Sequence, residues 1–435
     1  MTNDINALRK KAEDERKAKN YDKALLSFQN IWQNHKEART KWDGWGYALC
    51  LNHFKKYDES IIVCKATYTM DKKFKYIKSQ YAWAAYQVYI QKFDSVNGNI
   101  NDLLKHANGI IKLTEDLNDD LARKETVFKI VDVLEEKGRW EEIVDWCSKI
   151  DVNVLSNEKY IHTLSNGKKI SLPSPKEKWY SKKSKALEKL EKYPKCLKLT
   201  NEALLIYTSD IWFLRRKALC LGKLGAADEA LRILKELSLK KPEWFIFKDI
   251  AEIYYEKSDF NNALNYCFES SFHAIKNPKQ ENLWELYFTI SRILKKQDKI
   301  DLAKKYCLLS GILRLEHQWK IPIELKNFAD GMGVKFDSNM KSSSLINELS
   351  KDWVLNKYSE TDKQEGIIKN LLLKGNSGFI KSESGKDYFF RLKNFNDKKE
   401  YCVLNANVIF YTEKSFDKKK NQESEIAVNI SLRGR

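Results

Sequence analysis

Aromatic and basic residues alternate in one short stretch near the C-terminus. It reads Gly366-Ile367-Ile368-Lys369, then Lys374-Gly375-Asn376-Ser377-Gly378-Phe379-Ile380, then Asp387-Tyr388-Phe389-Phe390-Arg391. Taken as three short strands, the two-residue alternation puts Phe389 and Arg391 on one face and Tyr388 and Phe390 on the opposite, core-facing one. Flat rings beside Lys and Arg are the surface chemistry of single-stranded nucleic acid binding, where bases stack on the rings and cations neutralise phosphates.

The elements that hold this stretch follow from the same period of two, which begins at Gly366. Strand candidates are 366–372, 377–383, 387–393, 402–411 and 425–431, with turns at Lys374-Gly375-Asn376 and Ser384-Gly385-Lys386. A lysine-rich loop over 414–425 is expected between the last two. Five short strands in so few residues suggest a small closed barrel of the OB type. The order of motifs resembles the cold-shock domain family: Gly366-Ile367-Ile368-Lys369, Lys374-Gly375 with Gly378-Phe379-Ile380, Asp387-Tyr388-Phe389-Phe390-Arg391, Val408-Ile409-Phe410 and Ala427-Val428-Asn429-Ile430. The resemblance implies binding of single-stranded RNA or DNA through the second and third strands. Phe379 and Phe389 match the family's stacking phenylalanines, Arg391 replaces its usual His, and Lys369 and Lys374 match flanking basic positions. A guanidinium plane can itself stack and meet phosphate. Two positions depart from the pattern: Asn370 stands where the family has an exposed Trp, and Ser377 where it has an aromatic. Each absent ring removes about 1–3 kcal/mol of stacking.

Upstream, residues 1–320 repeat a different unit: an aromatic early in one helix, a turn, then a short signature opening the next helix. Tyr21-Asp22-Lys23-Ala24-Leu25, Tyr57-Asp58-Glu59-Ser60-Ile61, Asp228-Glu229-Ala230-Leu231, Phe260-Asn261-Asn262-Ala263-Leu264 and Ile300-Asp301-Leu302-Ala303 are copies, spaced 33 to 40 residues where neighbours are compared. Periods of this size mean stacked helical hairpins. Trp42, Trp45 and Leu49 share one helix face, as do Trp212, Leu214, Ala218 and Leu221. The small residue heading each second helix allows close approach. These features resemble the tetratricopeptide repeat family in a degenerate form, which implies a groove that holds a protein partner. The expected organisation is repeats over 1–150, an insertion over 151–176 with a tight β-hairpin about Asn166-Gly167, repeats over 177–325, a linker with a short helix over 326–364, and the barrel over 365–435. The fold class is therefore multidomain: an all-α helical-hairpin solenoid followed by a small all-β five-stranded OB barrel.

Composition bounds the rest. The net charge is +18. Residues 362–435 hold 15 Lys and Arg against 10 Asp and Glu, which leaves 63 against 50 for residues 1–361, so the excess is spread over both parts. An anionic partner fits that excess, although a lysine-rich, proline-poor composition gives the same surplus with no partner at all. The eight cysteines show no CxxC spacing and the six histidines no HxH or HExxH cluster. No metal site, no cofactor and no disulfide framework is expected. No P-loop or G-x-S-x-G motif is present, and no enzymatic activity is expected. No apolar run reaches the roughly 18–20 residues that cross a bilayer, and the N-terminus has no apolar signal core. A cytoplasmic protein with no membrane partner is expected. The reading is a non-enzymatic adaptor whose barrel holds single-stranded nucleic acid, RNA in the first instance, and whose repeats recruit a protein. The alternative is an assembly scaffold in which the barrel is a docking or structural domain.

Overall fold

The computed structural model describes residues 2–117, 120–275, 280–337, 339–358, 362–372, 376–417 and 421–434. The chain divides into two compact units, Met1–Thr208 and Ser209–Arg435. The first holds five helical hairpins: α1 (Thr2–Lys17) with α2 (Tyr21–Asn34), α3 (Lys41–His53) with α4 (Tyr57–Met70), α5 (Lys75–Ala85) with α6 (Ile100–Leu113), α7 (Leu121–Glu136) with α8 (Trp140–Cys147), and α9 (Pro175–Lys189) with α10 (Tyr193–Ile206). The second opens with three more: α11 (Ile211–Lys223) with α12 (Ala227–Lys240), α13 (Trp244–Glu256) with α14 (Phe260–Ala274), and α15 (Trp284–Lys296) with α16 (Ile300–Glu316).

Seven of the eight hairpins share one turn; α5 and α6 are joined instead through the π-helical turn Tyr86–Ile90. Lys19, Lys55, Gly138, Glu191, Gly225, Ser258 and Asp298 all adopt left-handed φ, each two residues before a second helix. The next amide reaches back five residues, as in Asn20 N–H to Glu15 O at 2.9 Å and Lys299 N–H to Leu294 O at 3.0 Å. This is the Schellman ending, which satisfies the last carbonyls of the first helix. The small residues expected at the heads of the second helices, Ala24, Ser60, Ala230, Ala263 and Ala303, are fully buried. Cys196 takes the same place in α10 and is equally buried. First helices are tied across one repeat by paired charges 34 residues apart. Arg9 grips Asp43 with both contacts at 3.1 Å, and Arg215 grips Asp249 in the same two-pronged way.

Between α8 and α9, β1 (Tyr160–Thr163) pairs antiparallel with β2 (Lys169–Leu172). The connection differs from the tight two-residue turn read from Asn166-Gly167. Gly167 N–H bonds Leu164 O and Leu164 N–H bonds Lys168 O, and only Gly167 is left-handed, with φ +76. That is a three-residue loop with a glycine bulge, because Asn166 stays on the ordinary side of φ.

The stretch 326–364, expected as a linker with one helix, belongs largely to the second array. It completes α17 (Ile323–Asp330) and forms α18 (Ser342–Tyr358). Leu325, Ala329, Leu345, Leu349 and Trp353 join the core of α14, α15 and α16. Trp353 is fully buried, stacks on Tyr287 at 5.8 Å and donates its indole N–H to the Tyr306 hydroxyl. The apolar face of α18 thus closes the end of this stack.

Five strands follow: β3 (Gln364–Leu371), β4 (Ser377–Ser382), β5 (Asp387–Arg391), β6 (Asn407–Asp417) and β7 (Gln422–Leu432). They pair in the order β3-β4-β5-β7-β6, and β6 returns to β3, so the sheet closes on itself. The β5–β7 pairing is parallel and the others are antiparallel. Ile368, Ile380, Tyr388, Phe390, Val408, Phe410, Ala427 and Ile430 fill the inside. The expected loop over 414–425 is mostly strand, since pairing runs from Lys414↔Glu425 to Asp417↔Gln422. Lysine composition masked a ladder that continues from Thr412↔Ala427 to Phe416↔Glu423. Conversely, 402–406 is irregular, and β6 begins only at Asn407.

Candidate nucleic-acid interface

Alternation along β5 turns Tyr388 and Phe390 into the barrel and leaves Phe389 half-buried and Arg391 exposed on its outer face. On β4, Ile380 and Gly378 face inward and Phe379 outward. Phe379 and Phe389 are direct cross-strand partners. Their ring centroids lie 5.6 Å apart at 69°, an edge-to-face pair. Arg391 stands opposite Ser377 at the end of the same row. It is exposed, and among the described residues it makes no ion pair or side-chain hydrogen bond.

The strand β3 carries a bulge: Ile368 pairs with Ile380 and Asn370 with Phe379, which leaves Lys369 as the extra residue. The bulge brings Lys369 and Asn370 out together, both exposed. Lys369 is not a free cation here, since its ammonium lies 2.6 Å from Asp387 Oδ2. Lys374 lies outside the described residues. Of the expected set, the fold therefore brings together Phe379, Phe389 and Arg391, with Lys369 at the margin and engaged.

Two neighbours were not picked out from the sequence. Lys381 is exposed, two residues beyond Phe379 on the same face, and Ile367 stands opposite it with 39% of its surface exposed. The i, i+2 relation of Phe379 and Lys381 carried the first signal. Ile367 gave none, because an isoleucine in a strand reads as core. Gly378 has a steric duty: a Cβ there would sit 2.3 Å from Asn370 O and 2.8 Å from the Phe390 ring. Only glycine lets β3 and the Phe390 ring close in behind Phe379.

Thiol chemistry is not offered elsewhere. All eight cysteines are buried, and burial pushes the thiols of Cys50, Cys64, Cys147 and Cys307 up to about 12.

No family model and no curated protein matches this chain. Among solved structures, a human IFIT1 dimer with m7Gppp-AAAA aligns at 15% identity over 80% of this chain and 72% of the other, with a TM-score of 0.37. A tetratricopeptide repeat protein from Parabacteroides merdae aligns at 10% identity, over 65% of this chain and 98% of its own, with a TM-score of 0.30. The TPR2AB domain of yeast Sti1 in its pHSP90 complex aligns at 12% identity, over 67% and 99%, with a TM-score of 0.27.

Proposed function

We propose that the chain is a non-enzymatic adaptor. Its C-terminal barrel, read as an OB-type domain of the cold-shock kind, holds single-stranded nucleic acid, RNA foremost, and its helical hairpins recruit a protein partner in the cytoplasm. The observation that carries this reading is the outward row Phe379–Phe389–Arg391, in which two rings and an exposed guanidinium share one face while Tyr388 and Phe390 fill the core. Rings stack bases without regard to sequence, and the guanidinium meets phosphate or stacks. The closed five-stranded ring supports the OB reading.

A second reading, a scaffold whose barrel docks protein, is favoured by two specific observations. Asn370 and Ser377 offer no ring beside Phe379, and Lys369 is already matched by Asp387. Fluorescence anisotropy with labelled single-stranded RNA and DNA over a salt series decides between them. The adaptor reading expects salt-sensitive binding by the full chain. A Phe379→Ala/Phe389→Ala variant should lose about 2–6 kcal/mol, two rings at about 1–3 each. No binding at low salt, or binding untouched by the double substitution, refutes the barrel as the site.

A further inference from the structure

A cleft of about 580 Å³ opens in the first unit between α1, α3 and the start of α5. One wall is aromatic. The centroids of Trp42, Trp45 and Tyr76 lie 5.5 to 5.8 Å from one another. Trp45 is covered on one face by the Arg16 guanidinium at 4.6 Å. Trp42 and Tyr76 are not covered in this way: 50% and 57% of their surfaces are exposed. Large rings gathered at a cleft and left this open present stacking surface.

The opposite wall is α1, and its charges settle what can lie against the rings. Asp43 is committed to Arg9 and accepts the Thr40 amide at 2.8 Å. Glu13 is committed to Arg16 at 2.6 Å, and that hydrogen bond holds its carboxyl below the usual range. Both carboxylates of the cleft are therefore matched. Lys10 is exposed and has no ion pair or hydrogen bond among the described residues. The cleft thus offers open rings and one surplus positive charge. A cationic ligand finds no spare carboxylate. A flat ligand with an anionic group satisfies both walls at once.

We infer that this cleft binds a nucleoside 5′-phosphate, free or at the end of a strand, with the base stacked on Trp42, the tilted Tyr76 ring at its edge and the phosphate at Lys10. The site is carried by residues other than those of the barrel row.

Isothermal titration of the full chain with ATP and with 5′-phosphorylated hexaadenylate tests it, beside a glutamate-rich peptide. Trp42 and Lys10 are surface residues, and circular dichroism of their variants checks folding. Saturable binding is expected. Trp42→Ala should weaken it by about five- to a hundredfold, the loss of one stacked ring. Lys10→Gln should weaken it and flatten its salt dependence. The Phe379→Ala/Phe389→Ala variant should bind ATP as the parent does, so failure at the barrel and failure here are distinguishable. Binding of the phosphorylated strand alone, lost in Trp42→Ala, supports the inference with strand ends as the source. Three results overturn it: no binding of either ligand, binding unchanged in Trp42→Ala and Lys10→Gln, or capture of the acidic peptide in place of ATP.

Discussion

Asn370→Trp should convert a weak stacking face into a stronger one. Asn370 is exposed and stands directly opposite Phe379 in the register of β3 and β4. Directly opposed side chains have Cβ atoms about 4.5–5.5 Å apart, so a new ring there extends the Phe379–Phe389 row by one position. One added base–ring stack is worth about 1–3 kcal/mol, which is about a five- to hundredfold fall in Kd for single-stranded RNA. The substitution changes no charge. The slope of log K against log salt should therefore stay as in the parent, because that slope counts phosphates neutralised. Anisotropy across a salt series reads both quantities. The site is exposed, so the melting midpoint should move little. Unchanged affinity would refute the stacking geometry. Equal tightening in a Phe379→Ala/Phe389→Ala background would show that the new indole acts as a lone sticky ring, outside any row.

Other expectations follow from packing and charge. Gly378→Ala should unfold or severely loosen the barrel, because its Cβ meets backbone oxygen at 2.3 Å. Far-ultraviolet dichroism should lose strand signal while the helical signal persists. Lys55→Gly should raise stability by about 0.5–1 kcal/mol in urea, since Lys55 holds φ +59 where glycine is unstrained. In the first unit, Lys178 and Lys182 hold Asp132, and Lys182 and Lys185 hold Glu135. Burial opposes ionisation of both carboxyls, but the lysines outweigh it and keep them below their ordinary 3.8 and 4.5. Groups lowered in the folded state stabilise it above those ordinary values and lose that contribution as pH falls further. The urea midpoint should drop as pH falls below about 4.5. Lys182→Gln should shrink that drop, and an equal drop in the variant would refute the role of the network.

The repeat architecture was legible because its signal lies in buried small residues: Ala24, Ser60, Ala230, Ala263 and Ala303 each sit where two helices nearly touch. The hairpin boundaries were less so. Five of seven left-handed turn positions are Lys, Glu, Ser or Asp, so the glycine that marks a helix end is missing. Cys196 hid a copy of the signature for a similar reason, being small but neither Ala nor Ser. In the barrel, alternation placed Phe389 and Arg391 correctly against Tyr388 and Phe390. The Lys369–Asp387 pair was not legible, because it depends on a bulge that no residue type announces. The length of β6 and β7 was hidden by Lys414 and the lysine run at 418–420, which read as loop composition.

The ring of five strands is uneven around its circumference. β6 and β7 share nine paired positions, whereas β5 and β7 share two, Phe389↔Ile426 and Phe390↔Ala427, with one further bridge at Phe395↔Ile430. Mechanically, the barrel is a hoop with a single thin seam, and the seam runs under Phe389. A load applied to the outer face, such as a strand pulled taut across it, is borne first by those few bonds. The face proposed to bind a strand thus lies over the thinnest pairing of the ring, while the β6–β7 ribbon carries the most.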